Sequence, residues 1–464
     1  MASTATPDDA KGPTTSGRFK RNVLWQLVAN GAQAVLGGAY LLALGRFLGP
    51  AAFGTFSVVM ALVSVAGLLV DLRLQDVVAR QFAHADDQGA SGHDDGARAL
   101  DLFVLEACTR LLPSLALVLL ALPLARLSGL HDDAVPLIAI AAGGFFLSKL
   151  GWGVSTGMLR ALGRTDAIAL CLTADWGLRL GATVACFFLT GLTVELAVLL
   201  GLVAGGLGNL VQLGFAAREF QRRVAPLTLA GWHLAGARAR LRDNRRLLTA
   251  NLALSASDLM SKDVDVALIS SILSADKVGV YKMAKAVVQS IWRAIDPFYL
   301  AIMPEVQKLY ARGDHRALRA FLAKTSLRLL ALSVLLACVG GVGATVVLER
   351  IVGPGFHEVP GLVWLMAGWV VVCGPLVWGH PLAVAINRPE LAVVASLLGS
   401  FVGVAAFLLL TPSLELVGAA VAWAATLIVN FGLVASLAAW SYARRSHHAQ
   451  ELAASASAPS ETRA

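Results

Sequence analysis

An all-α, polytopic membrane fold is what this sequence predicts, with about twelve transmembrane helices in two parallel six-helix repeats around a central cavity. Three observations carry the expectation: an apolar composition, long apolar runs alternating with short basic loops, and marker residues repeated in the same order in both halves. Of 464 residues, 57% are hydrophobic and 15% charged, with a mean hydropathy of +0.70. Soluble domains carry nearer a quarter charged residues, so this balance favours a bilayer as solvent. Runs such as Leu115–Leu122, Val194–Val203 and Leu391–Leu410 are nearly free of charge. A chain crossing lipid must satisfy every backbone N–H and C=O internally, which makes such runs helices.

The expected spans of the first half begin near Asn22, Ala52, Ala99, Ala134, Thr165 and Val194. Those of the second half begin near Arg246, Asp276, Arg316, Val359, Pro389 and Leu414. One set of loops holds most of the basic residues, among them Arg18, Lys20 and Arg21, Arg160 and Arg164, Arg218 to Arg246, Lys308 to Arg319, Arg388, and Arg444 and Arg445. The opposite set holds little more than Arg46, Arg126, Lys277 and Arg350. By the positive-inside bias both termini are expected in the cytoplasm, which requires an even number of spans.

Five segments follow: a disordered cytoplasmic arm (1–21), an N-terminal six-helix lobe (22–217), a basic linker (218–245), a C-terminal six-helix lobe (246–442) and a disordered tail (443–464). The arm is polar and ends in a basic cluster, unlike a cleavable leader. In the linker, Leu227, Leu229, Trp232, Leu234 and Leu241 alternate with a basic face. That pattern fits a helix lying on anionic inner-leaflet lipids, and equally a solvated linker. The net charge of +8 sits in loops beside spans, so membrane topology accounts for it without nucleic acid. The five cysteines fall inside apolar segments with no CxxC spacing and read as small buried hydrophobes.

The halves match at an offset near 220 residues. Leu48–Phe56, with its Gly-Pro-x-x-Phe-Gly turn, aligns with Leu273–Tyr281, placing Gly54 against Gly279. Arg110-Leu-Leu aligns with Arg328-Leu-Leu, Trp152-Gly with Trp378-Gly, and Arg164 with Arg388. Glu195 and Glu415, then Asn209 and Asn430, complete the series. Six spans per repeat give both halves one orientation, a plan found in transporters.

Ionisable groups within spans are costly and face a bundle interior or a water-filled cavity. Span seven carries Asn251, Ser255, Asp258, Lys262 and Asp265, stepping by three or four along one helical face. Span eight carries Lys282, Lys285, Gln289, Arg293 and Asp296 in a second stripe, and span one a looser uncharged version with Gln26 and Asn30. Glu106–Arg110, Asp175–Arg179 and Asp258–Lys262 are i,i+4 pairs for which mutual neutralisation is as good an account as function. Lys282 and Arg293 can snorkel to an interface. Lys149 and Lys285 have no opposite charge one helical turn away, which favours a cavity for both. Arg80 reads either as a topology signal or as a cytoplasmic gate.

No GxxxxGK[ST] motif, metal-ligand spacing, nucleophile elbow or long outer loop occurs in the sequence, so no enzyme, cofactor or metal is expected. The pairs Gly205–Gly206 and Gly340–Gly341 read as helix-packing contacts.

The run Leu44-Gly-Arg-Phe-Leu-Gly-Pro-Ala-Ala-Phe-Gly-Thr-Phe56, followed by Leu69-Val-Asp-Leu and Val78-Ala-Arg80, resembles bacterial polysaccharide transporters. These are the oligosaccharide (O-antigen-type) flippases of the multidrug/oligosaccharidyl-lipid/polysaccharide exporter superfamily, and the likeness extends over most of residues 20–440. It implies a two-lobe inner-membrane protein that flips a polyprenyl-pyrophosphate-linked oligosaccharide to the outer leaflet through a cationic cavity. On that reading Lys149, Lys262, Lys285 and Arg293 offset phosphate charge, beside Gln26, Asn30 and Gln289. Asp175, Asp258 and Asp265 are candidates for ion coupling and Arg80 for the gate. Partners would be the lipid-linked substrate, anionic inner-leaflet lipids, and a polysaccharide polymerase with other assembly proteins. One departure stands out: Asp71-Leu-Arg-Leu puts Arg73 where the resemblance leads one to expect glycine. The rivals are a multidrug exporter of the same superfamily, disfavoured by the excess of Lys and Arg, and a membrane glycosyltransferase or polymerase, disfavoured by the short loops.

Overall fold

The computed structural model describes residues 15–69, 73–82, 92–130, 134–224, 227, 242, 245, 248 and 263–457. These residues are helices and connections without a strand among them. In the first half the helices are α1 (Thr15–Leu69), α2 (Leu74–Gln81), α3 (Gly92–Leu119), α4 (Ala121–Leu127), α5 (Val135–Lys149), α6 (Trp152–Ala161), α7 (Thr165–Thr190) and α8 (Val194–Arg223). In the second half they are α9 (Val264–Ile269), α10 (Ala275–Arg293), α11 (Asp296–Ala311), α12 (His315–Gly343), α13 (Glu349–Val352), α14 (Val359–Cys373), α15 (Gly379–Ala385) and α16 (Glu390–Ser457).

Eight helical segments among the described residues are long and apolar enough to cross a membrane. Two of them, Leu24–Gly67 and Glu390–Arg444, contain a kink, at Gly49 and Glu415, that divides each into two arms. At Gly49 the backbone takes φ 73°, a region open to glycine, and Pro50 starts the next arm with its φ already helical. Most of expected span seven, including Asp258 and Lys262, lies outside the described residues.

The repeat read from the sequence is also a repeat of backbone geometry. Expected span four is two helices, α5 and α6, joined at Gly151 with φ 73°. Its counterpart, expected span ten, is α14 and α15, joined by a turn of 3₁₀ helix at Gly374–Leu376. Each pair ends in the same cap. The Arg164 N–H donates to the Leu159 carbonyl at 2.8 Å, and the Arg388 N–H to the Ala383 carbonyl at 2.8 Å. The residue before each arginine, Gly163 or Asn387, is left-handed, as this helix ending requires.

The chain packs as two compact units. The first comprises residues 1–40, 69–119 and 139–252; the second comprises 41–68, 120–138 and 253–464. In the first unit, α2 is amphipathic. Leu74, Val77 and Val78 are buried against Met158 and Leu159 of α6, and Phe82 meets Phe220 of α8 edge-on at 5.0 Å. Gly157 permits this approach, since a Cβ there would overlap Val78 and the Gln75 carbonyl. Arg73, at the expected glycine position, is left-handed with φ 44° and ψ 48°.

In the second unit the paired repeat turns meet. Gly54 and Gly279 lie backbone against backbone. Of the two glycine pairs, Gly340 and Gly341 do pack against bulky side chains, Ile291 and Trp364. Gly205 instead makes room for the Arg179 guanidinium, and nothing lies within 4 Å of a Cβ at Gly206.

Candidate functional site

The second unit holds a buried ionic cluster. It forms because α9 starts with Asp263 at its N-cap and Asp265 in its first turn, while α10 presents Tyr281, Lys282 and Lys285 on one face. The Lys285 ammonium donates to both oxygens of Asp265, at 2.6 and 2.8 Å, and the Tyr281 hydroxyl donates to Asp265 at 2.6 Å. Lys282 donates to Asp263 at 2.6 Å, and the Asp263 carboxylate also lies 3.6 Å from Lys285. The side chains of Asp265 and Lys285 are both 0% exposed. A buried charge is tolerable only when paired and hydrogen-bonded, and this geometry meets that condition for both. The cation with no opposite charge one turn away therefore has its partner twenty residues upstream. Gln289 and Arg293 continue the stripe of α10 and are half-buried.

Sequence reasoning passed over Asp263 and Tyr281. The Asp-x-Asp spacing of 263 and 265 was a signal, but a stripe stepping from Lys262 straight to Asp265 skips its first member. It also passed over the contact between Tyr299 of α11 and His380 of α15, whose hydroxyl and Nδ1 are hydrogen-bonded and whose rings stack 5.7 Å apart.

Two polar sites among the described residues of the first unit involve residues singled out from the sequence. At the first, the Arg179 Nε donates to Asp175 at 2.9 Å, and the guanidinium lies 5.4 Å from the centre of the Trp176 ring. Tyr40 packs edge-on to Trp176 at 6.0 Å. Gly201, Gly205 and Gly208 of α8 form the opposing wall: a Cβ at each would meet Tyr40, Arg179 and Asp175 respectively. On span one, Gln26 donates to Asn30 at 3.2 Å, which turns two of its amide groups toward each other.

The second polar site is the break of span four. Interrupting a helix within lipid frees backbone groups that must find other partners. Here Glu106 of α3 accepts from the backbone N–H of Gly153 at 2.7 Å and of Val154 at 2.9 Å, and so caps α6 from another helix. Asn209 of α8 donates to the Leu150 carbonyl at 2.6 Å. Gln212, one turn on, donates to Ser155 and Thr156. Lys149 closes the last turn of α5, where a cation complements the helix dipole, and its ammonium stands 4.9 Å from the centre of the Trp152 ring. The sequence offered Glu106 with Arg110 as a pair within one helix; the structure shows Glu106 acting between helices. In the second repeat Ser326 does comparable work, donating to the Pro375 carbonyl and accepting from the Trp378 ring N–H. Arg80 falls in the last turn of α2.

An inward-facing multidrug resistance MATE family transporter of the MOP superfamily aligns at 17% identity, over 93% of this chain and 96% of that one, with a TM-score of 0.62. The lipid II flippase MurJ in an inward closed conformation aligns at 12% identity, over 89% of this chain and 86% of that one, with a TM-score of 0.67. A variant of a Vibrio cholerae MATE transporter aligns at 16% identity, over 92% and 97%, with a TM-score of 0.57. A search of curated proteins by sequence finds no match. The fold is the one seen in these MATE transporters and in the MurJ flippase. The chain belongs to the family described as polysaccharide biosynthesis protein, whose model matches residues 19–309.

Proposed function

We propose that this protein is a flippase carrying a polyprenyl-pyrophosphate-linked oligosaccharide from the cytoplasmic to the outer leaflet of the inner membrane, by alternating access, for surface polysaccharide biosynthesis. The observation that carries the reading is a set of cations on the helices of a chain of this family: Lys149 and Arg293, with Arg179, Lys282 and Lys285 held by Asp175, Asp263 and Asp265. A diphosphate is the group such cations recognise, because charge-assisted bonds to phosphate are strong.

The pairing of Lys285 with Asp265 gives this reading a mechanism. An arriving phosphate competes with Asp263 and Asp265 for the two ammonium groups, so the cations stay paired throughout. The displaced carboxylates then bind a proton or a metal cation, which couples substrate entry to an ion gradient. Asp175, held by Arg179, is a second group of this kind, and Asp258 a third. Lys149, Lys262 and Arg293 offset further phosphate charge, Gln26, Asn30 and Gln289 bond sugar hydroxyls, and Arg80 gates the cytoplasmic side. Residues 22–217 and 246–442 serve as the two lobes, with both termini cytoplasmic by the positive-inside bias. Polymerase and other envelope-assembly proteins would receive the product.

The MATE folds among the neighbours favour a second reading, an ion-coupled multidrug exporter. One experiment separates the two: lipid analysis of the host with this gene deleted. Polyprenyl-linked oligosaccharide accumulating on the cytoplasmic side, with surface polymer lost and restored by the wild-type gene, supports the flippase. Unchanged lipid intermediates with new sensitivity to cationic compounds would establish the exporter instead.

A further inference from the structure

In the second unit α12, α15 with the preceding Trp378, and α16 line a half-open slot of about 320 Å³. Its walls are apolar, formed by Leu322, Leu382 and Ala439 among others. Its polar groups are nearly all committed elsewhere. Ser326 and Trp378 are bonded to one another, and the Tyr442 hydroxyl is bonded to His315 Nδ1 at 2.6 Å. The exception is Arg319 on the rim. Its Nε donates to the His315 carbonyl at 3.3 Å, and among the described residues its guanidinium forms no ion pair. An exposed guanidinium over an apolar slot has the shape of a phosphate on an acyl chain.

The depth of the slot in the bilayer is fixed independently. Trp440 is 54% exposed on α16 beside the slot, and Arg444 stacks over its ring at 4.3 Å. Exposed Trp with Arg at a helix end marks the interface between hydrocarbon and headgroups. Arg312 closes α11, Arg316 and Arg319 lie in the first turns of α12 and Arg388 precedes α16, so basic residues outnumber Asp314 and Glu390 at this end of the unit. Such a surface attracts anionic headgroups.

We infer that the slot is a binding site for an anionic phospholipid of the adjacent leaflet, one acyl chain lying between α12, α15 and α16 and the phosphate on Arg319. The site goes beyond transport: the lipid bridges three helices of the second unit and so stabilises the unit that carries the Lys285 cluster. A zwitterionic lipid of the same chains fills the slot but has a cation of its own facing this basic rim. Headgroup charge is therefore what the site selects.

The test uses the full chain, purified in detergent, with phosphatidylglycerol or phosphatidylcholine of identical acyl chains titrated in and both bound lipid (native mass spectrometry) and melting temperature read. Phosphatidylglycerol is expected to bind saturably and raise the melting temperature of the wild type, with phosphatidylcholine clearly weaker. Arg319→Gln, at an exposed position, should weaken phosphatidylglycerol about tenfold, the factor a lost charge-assisted hydrogen bond carries, and narrow its advantage over phosphatidylcholine. Ala323→Trp, which fills the slot from its exposed lip, should remove the stabilisation by both. Equal binding of the two lipids to the wild type, or full phosphatidylglycerol stabilisation of Ala323→Trp, would overturn the site. So would saturation by a polyprenyl phosphate with no response to phosphatidylglycerol, since the slot would then belong to a prenyl chain. None of these readouts depends on transport, so the site and the flippase reading fail separately.

Discussion

Gly54 and Gly279 hold equivalent places in the two repeats and touch each other through their backbones. A Cβ on Gly54 would overlap the Ala275 carbonyl oxygen and stand 3.0 Å from the Gly279 nitrogen. A Cβ on Gly279 would overlap the Pro50 carbonyl oxygen and stand 3.1 Å from the Gly54 nitrogen. The contact is reciprocal, as expected where two copies of one turn meet about a pseudo-two-fold axis. Helix backbones approach this closely only where small residues face each other.

The reciprocity makes a quantitative expectation. Gly54→Ala and Gly279→Ala should each destabilise the protein by about 1–3 kcal/mol, the usual range for overpacking. The double variant should cost clearly less than the sum, because one separation of the two helices accommodates both methyl groups. Thermal unfolding of the four proteins of this cycle checks it; strict additivity would contradict a shared crossing.

Lys285 and Asp265 give a second expectation. Lys285→Met leaves the buried Asp265 without its cation and should cost about 3–5 kcal/mol, whereas Asp265→Asn leaves Lys285 only Asp263 at 3.6 Å and should cost less. Lys285→Met combined with Asp265→Leu removes both charges and should recover most of the stability. If the cluster binds substrate, transport stays lost in the recovered double variant. A stable double variant with normal polymer output would remove Lys285 and Asp265 from the mechanism.

At the break of span four, Glu106→Leu strands the N–H groups of Gly153 and Val154 in an apolar setting. The expected cost is about 1–3 kcal/mol for each stranded group. Glu106→Gln keeps one acceptor and should be milder. Hydrogen exchange at Gly153 and Val154 reads the effect directly, and unchanged protection in Glu106→Leu would contradict the cap.

Arg73 offers a gain. A left-handed backbone costs a residue with a Cβ about 1–2 kcal/mol, and glycine adopts it freely. Arg73→Gly is therefore expected to raise the melting temperature; a lowered one would contradict a dominant backbone strain at this position.

Lys149→Ala should reduce transport while the protein remains inserted, measured as surface polymer output against membrane abundance. Normal output would take Lys149 out of the substrate path.

The sequence by itself determined the solvent, the helices and the repeat. Long apolar runs leave a chain in lipid no alternative to helix, and paired turns such as Leu48–Phe56 and Leu273–Tyr281 keep their order because each needs the same glycine. Even the resemblance located a backbone feature, since the position where Arg73 replaces an expected glycine is left-handed. Tertiary structure alone decided which charges meet. Sequence patterns resolve partners one turn apart, so Asp175 and Arg179 were visible as a pair, whereas Lys285 with Asp265, and Glu106 with the start of α6, join separate helices. The interruption of span four was equally hidden, because the run from Val135 to Ala161 is long and apolar enough to cross a membrane as one helix, even with Lys149 and Gly151 near its middle. Gly151 supplies the turn, but the groups that satisfy the break are not in the run: they are a carboxylate from α3 and an amide from α8, brought to the freed backbone groups by packing.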